Sequence, residues 1–343
     1  MLGKTNYKRR IPEFTGKMIT ETIGNYYDNE VYDDTELSAE TLDILVNKCA
    51  NILKGFQLKD KPIVLYLPNV LQLPIIALAT LRIGLTVLPI SATNEDVNCL
   101  HDIMKSSGAD TVVTIDGFWM GTRLIRTKEL LDAAITDIGI QRVLVIRHVS
   151  PDKGMPPPQV NLIGRRPYYM YKQKRDSWWS GFFPKASTSC KAETVSNESI
   201  ALLLPIRNAS SAELLPISLE RLQTEITHVQ SAIHPDEPSL IISTTNIFHQ
   251  IICTLAALRV GAYESDITHP DPSRTSQIMY TYKVAKLLIA EEDLNVLMEY
   301  KQYITFWDLK ILKEILVLGS NTLCKQTEEI FRVPCRNIEP TPV

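Results

Sequence analysis

The chain has 343 residues, a net charge of −3 and 45% hydrophobic residues, so it is long enough for one large or two ordinary domains. A charge this close to zero gives no basis for binding nucleic acid or a membrane surface. No apolar run approaches the roughly 20 residues that a membrane-spanning helix needs, and the mean hydropathy of −0.03 is typical of globular proteins. We therefore expect no nucleic-acid partner and no membrane insertion.

Cysteine spacing and charge at the start of the chain bear on the compartment. The six cysteines are scattered without a Cys-x-x-Cys pair, which argues against a zinc site and a disulfide framework. We predict no metal and no cofactor, and an intracellular, reducing location. The first 17 residues are basic, which favours the mitochondrion slightly over the cytosol. Their charged residues are Lys4, Lys8, Arg9, Arg10 and Lys17, against Glu13.

Short apolar runs alternate with longer segments of helical periodicity, a pattern typical of layered α/β proteins. The predicted strands, in chain order, are Ile63–Leu67, Thr111–Ile115, Arg142–Arg147, Ile200–Pro205, Leu240–Ser243, Lys286–Ala290 and Glu314–Leu318. The predicted helices are Ala39–Lys54, Val70–Ile83, Glu95–Ser107, Lys128–Ile135, Leu219–Ile233, Asn246–Val260 and Lys325–Phe331. Asn94 is the predicted N-cap of the third helix, and Gly84 and Gly108 are predicted to end the helices before them.

These elements group into five segments along the chain. They are an N-terminal extension 1–38, a first α/β subdomain 39–149, a connecting arm 150–197, an incomplete second α/β subdomain 198–332 and a tail 333–343. In the arm, tyrosines, tryptophans and phenylalanines alternate with lysines and arginines. Such a segment could stack nucleic-acid bases, connect the subdomains passively, or dock on a protein through Trp178 and Trp179. We favour an ordered arm.

Several motifs resemble one enzyme family. The segments carrying them are LVNKCANILKGFQL at 45–58, KPIVLYLPNVLQLPIIALATLRIGLTVLP at 61–89, TIDGFWMGTR at 114–123, RDSWW at 175–179, YKVAKLLIAEE at 282–292 and ILVLGSNTL at 315–323. Together they resemble the acetyl-CoA synthetase branch of the AMP-forming acyl-CoA synthetases. The resemblance implies the two layered α/β subdomains of that family's N-terminal domain, truncated at the C-terminal end.

The chain departs from this family where the phosphate-binding loop TSGSTGKPKG would lie. A gapless match puts Arg207 and Ser210 at loop glycines, Ser211 and Glu213 at the lysines, and Leu214 at the last glycine. Glycines let backbone N–H groups gather around an anion, and a lysine adds charge. The sequence therefore predicts a catalytically inactive member of the family with no phosphate site.

Other family positions are also altered. Met120 replaces one CoA-contacting arginine, which leaves Arg123 as a candidate residual CoA contact. Glu291 and Glu292 follow a predicted strand, at the edge where open α/β sheets bind ligands, and would repel an adenylate phosphate. His249 stands among apolar residues of a predicted helix, which favours a core histidine over a catalytic base.

The sequence therefore predicts an inactive synthetase-like protein that serves as a structural or accessory subunit of a larger intracellular assembly. The alternatives are a weak or specialised AMP-forming acetate or acyl-CoA ligase, and a regulator that retains CoA or nucleotide binding. Other protein subunits are the predicted partners. We expect the main interface within residues 238–332, because aromatic residues often anchor protein contacts. The candidate anchors there are Tyr263, Tyr282, Tyr303 and Trp307.

Overall fold

The computed structural model describes most of the chain. The described residues are 18–22, 33–58, 61–120, 123–150, 168–208, 211–233, 237–243, 246–256, 260–263, 272–304, 306–319 and 323–338.

Strands and helices alternate through both halves of the described chain. The strands are β1 Met18–Thr22, β2 Asp33–Leu37, β3 Ile63–Leu67, β4 Val87–Ser91, β5 Thr111–Ile115, β6 Phe118–Met120, β7 Arg123–Ile125, β8 Arg142–Ile146, β9 Asp176–Trp178, β10 Ile200–Asn208, β11 Ser211–Ser218, β12 Ser239–Ile242, β13 Val260–Tyr263, β14 Lys286–Ala290, β15 Glu314–Leu318 and β16 Cys335–Ile338. The helices are α1 Ala39–Gly55, α2 Gln72–Arg82, α3 Val97–Ser107, α4 Thr127–Ala134, α5 Leu219–Ala232, α6 Ile247–Ala256, α7 Pro272–Thr281, α8 Glu291–Glu299, α9 Lys301–Ile304 and α10 Cys324–Phe331.

The first sheet is built mainly from the N-terminal half of the chain. Its strand order is β11-β10-β4-β3-β5-β8-β9, and every pairing is parallel except the β10–β11 hairpin. Every residue of β3, β4 and β5 is buried. This is the pattern of a parallel sheet with helices on both faces.

The second sheet has the order β16-β15-β14-β12-β13-β1-β2. Its pairings are parallel except that β1 and β2 run antiparallel. Strands β1 and β2 lie in the segment that sequence analysis treats as an extension, and β16 lies in the predicted tail. The carboxyl ends of β12, β14 and β15 meet at one edge, because these strands are parallel neighbours.

Helix α6 lies between the two sheets. Nine of its ten residues, all but His249, are buried, and it contacts β4 of the first sheet and the helices α2 and α5. One hydrophobic core extends from the first sheet through α6 to Leu288 and Leu316 of the second sheet. A smaller core lies on the other face of the second sheet, under α7, α8 and α10. The prediction of a layered α/β fold is therefore confirmed.

Helix ends follow local chemistry, with one difference from the sequence prediction. Gly84 and Gly108 have φ of +73° and +61°, so both end their helices in the left-handed conformation that glycine adopts most readily. The predicted N-cap Asn94 is wrong. Asp96 caps α3 by accepting from the N–H groups of Asn98 and Cys99, each at 3.1 Å, while Asn94 accepts from the Asp96 N–H.

The predicted helix over 246–260 is too long. Helix α6 ends at Ala256 and Val260 begins β13, because the apolar residues of a buried strand continue the apolar pattern of a buried helix. Among the described residues, no helix has both the length and the apolar character needed to cross a bilayer.

Candidate functional site

Strands β10 and β11 contain most of the residues that the resemblance aligns with the family's phosphate loop. Their antiparallel ladder continues to the pair Asn208↔Ser211, with Arg207 opposite Ala212. Ser210 lies outside the described residues, as do the side chains of Arg207 and Ser211. Glu213 is exposed, and Leu214 packs partly against the core. The two strands thus pair antiparallel, and neither contains a glycine.

Arg123, the candidate CoA contact, lies in the small hairpin β6–β7 opposite Met120. Its guanidinium forms an ion pair with Glu95, and its Nη2 lies 3.7 Å from the Met120 Sδ. The side chain is 51% exposed. A CoA phosphate at this position would have to compete with the Glu95 carboxylate for the same cation.

The described part of the arm, residues 168–197, packs on the chain's own surface. Trp179 is only 6% exposed and lies in the core, and the Arg147 guanidinium lies 4.5 Å from the centre of the Trp178 ring. Asn51 of α1 donates to the carbonyls of Ser187 and Ser189, each at 2.9 Å. These contacts hold the arm along α1. A role of the two tryptophans in binding another chain stays a prediction.

A cluster of polar groups follows β12, at the carboxyl edge of the second sheet. Asn246 caps α6, because its Oδ1 accepts from the N–H groups of Phe248 at 3.0 Å and His249 at 3.2 Å. The Ser243 hydroxyl donates to the Asn246 carbonyl at 3.1 Å, and the Gln250 amide donates to the Ser243 carbonyl. This network fixes the first turn of α6 against the end of the strand.

Two polar atoms in this cluster are buried without a hydrogen-bond partner among the described residues: the Nδ1 of His249 and the Oε1 of Gln250. Burial lowers the pKa of His249 to about 4, although the nearby Glu292 carboxylate acts in the opposite direction. The imidazole is therefore neutral at physiological pH and offers hydrogen bonds without a net charge. Buried polar atoms are nearly always satisfied, so these two call for a partner that is a ligand, a water molecule or a residue outside the described ranges.

The neighbouring strands β14 and β15 place two carboxylates and a glycine at the same edge. Glu291 and Glu292 begin α8 directly after β14. Gly319 follows β15 with φ +131°, a backbone conformation that side chains rarely adopt. A Cβ on Gly319 would lie 3.6 Å from the Glu291 Oε2. The edge cluster, defined as Ser243, Asn246, His249, Gln250, Glu291, Glu292 and Gly319, therefore combines a neutral imidazole, amides and carboxylates.

The sequence predicts part of the edge cluster. It places Glu291 and Glu292 at this edge and favours a core histidine at His249. It does not predict Ser243, Gln250 and Gly319, which come together only through the strand order. The sequence feature that could have identified the cluster is a set of polar residues directly following apolar strands. Among the described residues, no group of three or more His, Cys, Asp or Glu side chains could hold a metal ion.

The predicted interface anchors differ in their surroundings. Tyr303 is exposed, Trp307 is half-buried and its ring lies 5.3 Å from that of Tyr280. Tyr282 packs partly against the smaller core. Tyr263 ends β13, and its side chain lies outside the described residues.

The fold and the edge cluster define a layered α/β protein with polar groups at the carboxyl end of a parallel sheet, the position where such sheets bind ligands. A model of the AMP-binding enzyme family matches residues 20–204, more than half of the chain. The chain therefore belongs to the AMP-binding enzyme family.

Relatives and a solved structure agree with this assignment. An acetyl-coenzyme A synthetase of Pyrobaculum aerophilum is 33% identical over 170 residues, covering 48% of this chain and 23% of the relative. One from Phycomyces blakesleeanus is 27% identical over 290 residues, covering 80% of this chain and 40% of the relative. The crystal structure of a Brucella canis acyl-CoA synthetase has the same fold, with a TM-score of 0.70 at 15% identity over 94% of this chain and 54% of that one. The chain spans less than half the length of these two curated synthetases.

The comparisons correct one prediction. The prediction that the chain is not an enzyme is wrong, because its family and its acetyl-coenzyme A synthetase relatives are enzymes. The prediction of inactivity relied on the altered loop of residues 207–214 together with the other altered family positions, among them Met120, Glu291 and Glu292. The family match ends at Leu204, before that loop begins, so the match says nothing for or against the loop chemistry.

Proposed function

We propose that the chain acts in AMP-forming acyl-CoA ligation, as a specialised family member that takes acetate or a similar short acyl acid. The family match and the acetyl-coenzyme A synthetase relatives support this substrate class. We propose a specialised member because the hairpin β10–β11 is altered and Arg123 is ion-paired. Both features differ from the family pattern that the resemblance implies.

One observation carries the proposal: His249 and Gln250, at the carboxyl edge of the second sheet, each have a buried polar atom with no hydrogen-bond partner among the residues that the structure describes. Small-molecule sites combine mostly apolar walls with a few convergent polar groups. Here the polar groups belong to the edge cluster, at the start of the buried helix α6. A ligand that hydrogen-bonds the two free atoms would remove the cost of burying them unsatisfied.

The charges of the edge cluster restrict which part of a ligand fits there. The half-buried Glu291 and the exposed Glu292 disfavour a phosphate, because like charges repel. The neutral imidazole of His249 accepts or donates a single hydrogen bond. We therefore propose that the edge cluster takes an uncharged part of the ligand, the adenine ring or the acyl group.

Thermal unfolding with ATP, AMP, CoA and acetate at millimolar concentration tests the proposal. A ligand at a hundredfold excess over Kd stabilises the native chain by about 2.7 kcal/mol. We expect AMP or ATP to raise the Tm of the wild type, and His249→Leu and Gln250→Leu to lose that rise. The matched control is His228→Leu on the polar face of α5, away from the edge cluster. No rise with any ligand, or an equal rise in all variants, would contradict the proposal.

A second candidate function is contact with another protein chain. The observation favouring it is an aromatic patch formed by Tyr280, Tyr303, Phe306 and Trp307, in which Phe306 is 74% exposed and stacks on Tyr303 at 6.2 Å. Contiguous exposed apolar surface often marks a protein interface.

We propose that this patch docks on another protein chain as an accessory contact, and native purification followed by size analysis tests this. Phe306→Lys should reduce the assembled fraction. Tyr171→Lys changes an equally exposed ring on the arm and should leave assembly unchanged. A monomer in the wild type would refute the contact.

A further inference from the structure

Two thiols meet where α10 packs beside the edge strand β16. Cys324 is the first residue of α10 and Cys335 is the first residue of β16. Neither is part of a disulfide, and the Cys324 side chain is a hydrogen-bond partner of the Cys335 thiol. The Cys324 Sγ also lies 3.8 Å from the Asn337 Oδ1 of the same strand. The sequence gives no sign of this pair, because α10 separates the two cysteines along the chain.

The two thiols differ in access. Cys335 is buried and Cys324 is half-buried. Burial, followed by the hydrogen bond to Cys324 and by the nearby Glu328 carboxylate, raises the pKa of Cys335 to about 12. Glu328 also accepts from the Cys335 N–H at 2.9 Å, which fixes the strand against α10. A dissolved oxidant therefore reaches Cys324 first, with Cys335 held next to it.

We propose that Cys324 and Cys335 are a redox modification site, which hydrogen peroxide converts to a reversible intramolecular disulfide. The Cys324 sulfur attacks one peroxide oxygen and the O–O bond breaks. This gives a sulfenic acid at Cys324 and, with the thiol proton, one water. The Cys335 sulfur then attacks the Cys324 sulfur, and its proton leaves with the hydroxyl group as a second water. Two thiols and one peroxide thus become one disulfide and two waters.

A bond between Cys324 and Cys335 would tie the start of α10 to the start of β16.

Peptide mapping of the full-length chain tests the proposal. The reduced protein is titrated with hydrogen peroxide, its remaining thiols are blocked, and it is digested with trypsin without reductant. Cleavage after Lys325 and Arg332 places the two cysteines on separate peptides, 314–325 and 333–336. We expect these peptides to be recovered as one disulfide-linked species that dithiothreitol separates.

Cys99→Ser provides the matched control, because Cys99 is also half-buried and its Sγ contacts the Asn94 amide at 3.6 Å. This variant should form the linked peptides as the wild type does. Cys324→Ser should leave Cys335 reduced at the same peroxide dose, and circular dichroism checks its folding. Disulfides between chains, sulfinic acid at Cys324 without a linked peptide, or unchanged thiols in the wild type would each overturn the proposal.

Discussion

A buried ion-pair network makes one strong prediction about stability. Lys128 and Asp176 are both 0% exposed. The Lys128 Nζ lies 2.9 Å from the Asp176 Oδ2 and 2.6 Å from the Asp132 Oδ2. Asp132 has a second cation, Arg175 at 3.0 Å. Asp176 has a hydrogen bond from the Gln173 N–H at 2.7 Å. The Oδ1 of Asp176 has no hydrogen-bond partner among the described residues.

Removing the cation as Lys128→Met leaves the Asp176 carboxylate buried with that hydrogen bond but without a cation. Breaking a buried pair in this way costs about 3–5 kcal/mol, a large share of the ~5–15 kcal/mol that stabilises a typical protein. Urea unfolding measures the loss through the midpoint and the slope. Asp176→Asn in the Lys128→Met background should restore more than about 1 kcal/mol, because the two effects are coupled.

Two results would refute this reasoning. The first is a Lys128→Met variant whose free energy of unfolding lies within about 0.5 kcal/mol of the wild type, as for an exposed substitution. The second is a double variant as unstable as the sum of the two single variants, since additivity would mean that the two groups do not interact.

Three further predictions concern the arm and the edge cluster. Trp179→Ala should lower the free energy of unfolding by about 3–5 kcal/mol in urea, whereas Tyr171→Ala, 77% exposed, should change it by less than about 0.5 kcal/mol. Burial lowers the pKa of His249 to about 4, below the usual ~6.5 of an unfolded histidine, so the unfolded chain binds more protons between these pH values. The free energy of unfolding should therefore fall by up to about 3 kcal/mol as the pH drops through that range, and a pH series on His249→Leu should lose this slope. Gly319→Ala should cost about 1–3 kcal/mol in the same urea assay, because φ +131° strains a residue with a Cβ; an unchanged midpoint would show that the backbone there relaxes freely.

Much of the fold could be predicted because buried strands have a strong sequence signal. Ile63–Leu67 and Thr111–Ile115 have the predicted ends, since each is a short apolar run between polar residues or turns. Strand β13 is not predicted, because its apolar residues continue the apolar pattern of helix α6. The N-cap of α3 shifted from Asn94 to Asp96, a choice between two good capping residues that local sequence does not resolve.

The edge cluster was only partly predictable, because its members are distant in the sequence. Glu291 is recognisable as the residue after a strand, but its contact with Gly319 depends on β14 and β15 being neighbours. His249 has the apolar neighbours of a core histidine, and burial does lower its pKa. Its free Nδ1 depends on how Asn246 and Gln250 are oriented. The prediction that the chain is not an enzyme was wrong because it gave altered loop and site residues more weight than the match to an enzyme family.

The central claim is that an AMP-type ligand binds at the carboxyl edge of the second sheet. Hydrogen exchange of the wild-type chain with and without millimolar AMP tests it most directly, because bound ligand slows exchange where it stabilises the backbone. The account predicts added protection in two segments, 243–256 and 286–299, and none in residues 200–218 of the hairpin. Protection confined to the hairpin, or absent from every segment, would contradict it.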